Sequence, residues 1–122
     1  MAESLLFHID TVVVDGAPLA IEDSTGTISG AQRFEYEVVP SASGDDCNRR
    51  KRVPTLFRCK LQFTSDVDPV ALAKASDVQI TARDTQSKRR ALMPRCSFGT
   101  MGELGAGSVD VTFNVLSPIQ WL

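Results

Sequence analysis

Apolar and polar residues alternate with a period of two along much of the chain, the pattern of strands that turn one face to a core. In Arg33-Phe34-Glu35-Tyr36-Glu37-Val38 the side chains of Phe34, Tyr36 and Val38 point one way and the charges the other, which predicts a half-buried strand. Residues 57–63 predict a second, with Cys59 on its apolar face, and residues 78–83 a third. The alternation Val109, Val111, Phe113, Val115 is the clearest of all. Residues 7–14 are rich in β-branched side chains and end at Asp15-Gly16, a hairpin signal that leads into Leu19-Ala20-Ile21. After Asp84, the residues Thr85-Gln86-Ser87 predict a turn into a strand over 89–93 that Pro94 stops.

One segment breaks the alternation. Asp68 suits a helix N-cap and Pro69 the first helical turn, with Val70, Leu72 and Ala73 supplying an apolar side. The spacing predicts one short helix of about two turns. Together these elements predict a mainly β domain over residues 1–122, an antiparallel β-sandwich or barrel of about seven strands with one short flanking α-helix. Two segments fit a self-contained monomer poorly. Residues 40–54 read as a long, charged, structureless loop, and loops of about that length in small domains are usually functional. Residues 116–122 are unusually apolar for a chain end, so Ile119, Trp121 and Leu122 are expected to dock on a surface.

Composition narrows the function. The chain has 122 residues, enough for one core, and 13 basic against 15 acidic side chains, a net charge of −2. Phosphate-neutralising domains usually carry net positive charge. The basic residues cluster instead: Arg49, Arg50, Lys51 and Arg52 form one run and Lys88, Arg89 and Arg90 another, at an expected hairpin tip. No apolar run approaches the ~20 residues of a membrane span, and the acidic start of the chain argues against a secretory signal. The expected site of synthesis is therefore the cytoplasm.

Chemistry for catalysis is thin. The cysteines Cys47, Cys59 and Cys96 have no zinc spacing, and the single His8 reads as an ordinary strand residue. Asp66 and Asp68 read as a helix cap, Asp45 and Asp46 as loop acids. Gly99, Gly102, Gly105 and Gly107 lack the strand-to-helix context of a phosphate loop. Neither an enzyme nor a cofactor is expected. An acidic step, Asp45-Asp46, beside the basic run at 49–52 is a two-signed surface that can pair with a neighbouring subunit.

With these segments placed, residues 54–122 resemble the tail tube proteins of contractile-tailed bacteriophages. The carrying features are a helix before the strand Asp77-Val78-Gln79-Ile80-Thr81-Ala82-Arg83-Asp84, a polar turn, and the closing strand Gly107-Ser108-Val109-Asp110-Val111-Thr112-Phe113. The resemblance covers about half the chain, and the family's glycine-rich turn after the first long strand is replaced here by the segment that holds Cys47. It implies a structural virion protein of the phage tail, assembled in the host cytoplasm. Hexameric rings would stack into a hollow tube inside a contractile sheath, on a baseplate and around a tape-measure protein. DNA would pass through the lumen without sequence-specific binding. On this expectation Asp45, Asp46, Arg49, Arg50, Lys51 and Arg52 form an assembly loop. Lys88, Arg89 and Arg90 add hairpin-tip contacts, and Ile119, Trp121 and Leu122 dock on a neighbour. The cysteines Cys47, Cys59 and Cys96 become candidates for intersubunit disulfides once the particle leaves the reducing cytoplasm. The competing expectations are a small β-barrel that binds polyanions or nucleic acid through its two basic clusters, and a single-ring tail adaptor or terminator.

Overall fold

The structure, a computed structural model, describes residues 5–65 and 67–122; the readings placed on residues 1–4 and on Asp66 lie outside them. Strands make up 50% of the chain and helix 4%, so the mainly β class with a single short helix holds. The elements are β1 (Thr11–Val14), β2 (Ala17–Leu19), β3 (Thr27–Ser29), β4 (Phe34–Val39), β5 (Cys47–Arg52), β6 (Thr55–Gln62), α1 (Pro69–Ala73), β7 (Val78–Arg83), β8 (Arg90–Met101), β9 (Ser108–Val115) and β10 (Gln120–Trp121).

Eight of the strands form one antiparallel sheet in the order β2-β1-β7-β8-β9-β6-β3, with β10 on β8. The two ends of this sheet meet. β2 pairs with β1, and the residues after it pair with β6 through an Ile21–Leu61 bridge. There Glu22 N donates to Lys60 O at 2.8 Å and Gln62 N to Ala20 O at 2.9 Å. The sheet thus curls into a barrel with few free edges, the arrangement that limits edge-to-edge aggregation. Period-2 alternation delivers the inward faces. Phe57, Cys59 and Leu61 from β6, Ile80 and Ala82 from β7, and Val109, Val111 and Phe113 from β9 pack with Val12, Ala91, Met93 and Cys96 in one buried cluster. Phe113 stands at its centre, stacked on Phe57 at 6.4 Å and edge-on to Phe98 at 6.1 Å.

The long strand β8 supplies the bend that closure needs. Contrary to the expectation, Pro94 does not stop it. Ile80 pairs with Met93 and Val78 with Cys96, so β8 carries an extra residue here, and Pro94 sits in that bulge where no ladder N–H is required. A second bulge falls at Gly99, between the Phe98–Phe113 and Thr100–Thr112 pairs. A Cβ on Gly99 would lie 2.8 Å from Thr112 O, so close approach of the backbones demands glycine. The first hairpin uses its expected turn, with Asp15 and Gly16 both at positive φ.

Helix α1 forms where the sequence suggests, but its five residues fall short of the two turns expected. Asp68 accepts a hydrogen bond from Val70 N at 3.0 Å, and Pro69 occupies the first turn. Its packing is light: Leu72 leans on the core while Val70 stays exposed.

Two expectations fail in one place. Residues 40–54 are not a structureless loop, because Cys47–Arg52 is a strand, β5, paired along its whole length with β4. The strand through Phe34, Tyr36 and Val38 is not half-buried either, because β4 and β5 make a separate two-stranded sheet with no buried residue. The alternation along β4 marks a face correctly, but no described residue buries that face.

Candidate assembly surface

The β4–β5 hairpin forms an arm whose base is held firmly. Gly30 adopts φ +70°, and the carbonyl of Pro54 lies where a side chain would begin. The Gly30 carbonyl accepts from Arg33 N at 3.0 Å and from Thr55 Oγ1 at 2.7 Å, and Val53 N donates to Arg33 O at 2.7 Å. The Thr55 and Val53 bonds cross the two legs of the arm just where it leaves the barrel.

Residues opposite one another on antiparallel strands share a face, so the pairing divides the arm's chemistry. On one face lie Phe34 opposite Arg52, Tyr36 opposite Arg50, and Val38 opposite Asn48. The guanidinium of Arg50 sits 4.4 Å from the centre of the Phe34 ring. On the other face lie Glu35 opposite Lys51, Glu37 opposite Arg49, and Val39 opposite Cys47. Arg49 and Glu37 form an ion pair there. The basic run is therefore not one patch. Alternation sends Arg49 and Lys51 to a face that already holds two carboxylates, and Arg50 and Arg52 to an apolar face that holds none.

That apolar face is open. Tyr36 is 68% and Val38 61% exposed, and Phe34 is also exposed. A two-stranded hairpin on its own is marginally stable in water, and an uncovered aromatic face on one marks a contact surface. At the tip, Asp46 Oδ1 accepts from Ser41 N at 3.3 Å, and Ser41 and Ser43 hydroxyls lie 2.8 Å apart, while Asp45 projects to solvent.

The second basic cluster and the C-terminus meet each other rather than a distant surface. Lys88, at φ 62°, lies in the β7–β8 turn. Arg89 stacks over the Trp121 ring at 5.0 Å, and Trp121 packs edge-on against Phe7 at 5.4 Å. Arg90 and Leu122 exchange backbone hydrogen bonds, and β10 pairs with Leu92 and Ala91 of β8. Ile119 packs against the core. Of the three residues expected to dock, Ile119 is covered by its own chain, whereas Trp121 is 42% and Leu122 57% exposed. The turn beneath them is stapled by buried Asp84, which accepts from His8 N at 3.1 Å, Gln86 N at 3.0 Å and Ser87 Oγ at 2.8 Å. The Ser87 bond above all holds its carboxyl below the usual value.

The cysteines separate in the same way. Cys59 and Cys96 are buried in the barrel core, where burial pushes each thiol up to about 11. Both are inert there and out of reach of another subunit, which removes them as intersubunit disulfide candidates. All three cysteines are free, and Cys47 alone of them is exposed, on the charged face of the arm. His8 lies beside Asp23 at 3.3 Å. Among the described residues no group of three or more His, Cys, Asp or Glu side chains is placed to hold a metal ion, and no helix is long and apolar enough to cross a membrane.

Sequence reasoning named Asp45, Asp46, Arg49, Arg50, Lys51 and Arg52 but passed over Phe34, Tyr36, Val38 and Arg33, which complete the surface. The available signal was the register: a strand of alternating charges beside a run of bases has the length to pair with it. No family model matches this chain, and no curated protein matches it.

Proposed function

We propose that the chain is a self-assembling structural subunit, of the kind whose hexameric rings stack into the inner tube of a contractile phage tail. The observation that carries the reading is the β4–β5 arm, a strand pair without a buried residue that presents Phe34, Tyr36 and Val38 to solvent. Burying those three side chains on a neighbour would contribute at most roughly 1.5–3 kcal/mol each, a favourable term that offsets part of the entropy of docking. A small barrel with a projecting arm, a light flanking helix and a net charge of −2 suits a subunit that lines a conduit without holding its cargo. Tail sheath, tape-measure and baseplate or terminator proteins are the further partners this role requires, and its setting is the virion. The role is structural and asks for no catalytic residue.

The split of the basic run disfavours the polyanion-binding alternative, since Arg49 is paired with Glu37 and Lys51 stands opposite Glu35. Negative-stain images and sedimentation of the purified protein test the proposal. Hollow tubes support it, isolated rings redirect it to a single-ring adaptor, and a monomer at every concentration overturns it.

A further inference from the structure

The arm is polarised along its length. Its tip carries the exposed acids Asp45 and Asp46, and no basic residue lies between Pro40 and Cys47. Its base carries Arg33 and Arg52, which flank a recess of about 480 Å³ whose walls include Leu56, Asn114 and Leu116. No carboxylate lines this recess. Among the described residues the ion pairs are His8–Asp23, Glu37–Arg49 and Asp77–Arg95, so neither Arg33 nor Arg52 has an acidic partner. Arg33 is nonetheless held in place, at φ 69° and by backbone hydrogen bonds to Gly30 and Val53.

An arm cannot satisfy its own base with its own tip. Six residue pairs separate them, from Phe34–Arg52 to Val39–Cys47, a span of roughly 20 Å for a rigid antiparallel ladder. Complementary charges fixed at opposite ends of one element can meet only between copies. We propose that the tip of one copy seats in the base recess of a second, with the carboxylates of Asp45 and Asp46 against the guanidinium groups of Arg33 and Arg52. The apolar wall at Leu56 and Leu116 excludes water from part of the contact, which strengthens charge-assisted hydrogen bonds there. Each copy gives a tip and receives one; where the two are exchanged with different neighbours the contact is heterologous and propagates through an assembly. This inference rests on the self-assembly reading above and names the surfaces that meet.

Two charge-reversed variants test it, Asp45→Lys/Asp46→Lys and Arg33→Glu/Arg52→Glu. Each sets like charges against each other when alone, and sedimentation velocity should show assembly shifted to roughly tenfold higher protein concentration or abolished. An equimolar mixture places lysine tips in glutamate recesses and aspartate tips in arginine recesses, so assembly should return in the mixture. Return of assembly also shows that both variants are folded. Variants that assemble alone as the wild type does would overturn the tip-to-recess contact and leave the assembly reading standing. Defective variants with native far-UV spectra and no recovery on mixing would do the same. A wild-type protein that stays monomeric would overturn both.

Discussion

The barrel and the arm are built from the same alternation of side chains, yet they spend it differently. In β6, Phe57, Cys59 and Leu61 turn into a shared core and lose nearly all their exposure. In β4, Phe34, Tyr36 and Val38 alternate just as cleanly and remain in water. The lesson is that periodicity encodes a face, whereas burial depends on whether the fold brings a second face to it. For the barrel that second face belongs to the same chain. For the arm, on the proposal above, a neighbouring copy supplies it.

If so, core and arm substitutions must separate in an isolated subunit. Phe113→Ala removes a fully buried ring from the middle of the aromatic cluster and should cost about 3–5 kcal/mol in urea unfolding. Tyr36→Ser on the arm should change the unfolding free energy by no more than about 0.5 kcal/mol while weakening assembly. A Tyr36→Ser subunit destabilised as much as Phe113→Ala would break the comparison, because the arm would then be part of the intrinsic fold.

The joint between the two regions offers the next largest effect. Gly30→Ala forces a side chain into positive φ and toward the Pro54 carbonyl, so it should cost about 2 kcal/mol or more. Because the same residue anchors Arg33 and Thr55, the variant should also loosen the arm. Faster amide exchange across β4 and β5, with the barrel strands β6 and β9 protected, is the expected pattern. Uniform loss of protection would mean that arm and barrel unfold as one unit.

Much of the barrel was legible in the chain because its strands bury one face each. Residues 78–83 and 109–115 alternate without interruption, Asp15-Gly16 has the residues its turn demands, and Asp68-Pro69 caps the helix by local hydrogen bonding alone. What escaped depends on partners distant in sequence. Residues 47–52 contain no apolar alternation, and only pairing with β4 makes them a strand. Pro94 looks like a terminator until a bulge removes the need for its N–H. The apolar C-terminus called for a surface, and nothing local shows that its last strand pairs with β8. Of the candidate surface, the charges were visible from the outset, but their division between two faces follows from the register alone.

A smaller effect distinguishes the barrel's own polar staple from the arm's surface charges. Asp84 and Asp10 both have carboxyl pKa values lowered from 3.8, chiefly by hydrogen bonds from Ser87 and Thr85 respectively. A group whose pKa falls on folding stabilises fully above its unfolded value, and that stability is lost as pH drops through the folded value. Urea midpoints should therefore decline as pH falls from about 5 toward 2, and Asp84→Asn should lower the midpoint at pH 7 and flatten the decline. An unchanged acid slope in that variant would assign the staple no role. Glu37→Gln, which removes an exposed arm ion pair, should change the unfolding free energy by a few tenths of a kcal/mol at most.

The least perturbing test leaves the fold untouched and reads the two regions by thiol chemistry. Cys59 and Cys96 lie in the core with thiols pushed to about 11, whereas Cys47 is exposed on the arm. A maleimide reagent should modify one cysteine per native chain at neutral pH and all three after unfolding in urea. Cys47→Ser should change the unfolding free energy by less than about 0.5 kcal/mol and abolish native labelling. Assembly sharpens the result further. Cys47 lies beside the tip, so packing of the arm against a neighbour should slow its labelling in the assembled state, with the disassembled subunit as reference. Equal labelling rates in both states would mean that the charged face of the arm around Cys47 stays open on assembly, and that contact between copies runs elsewhere on the arm.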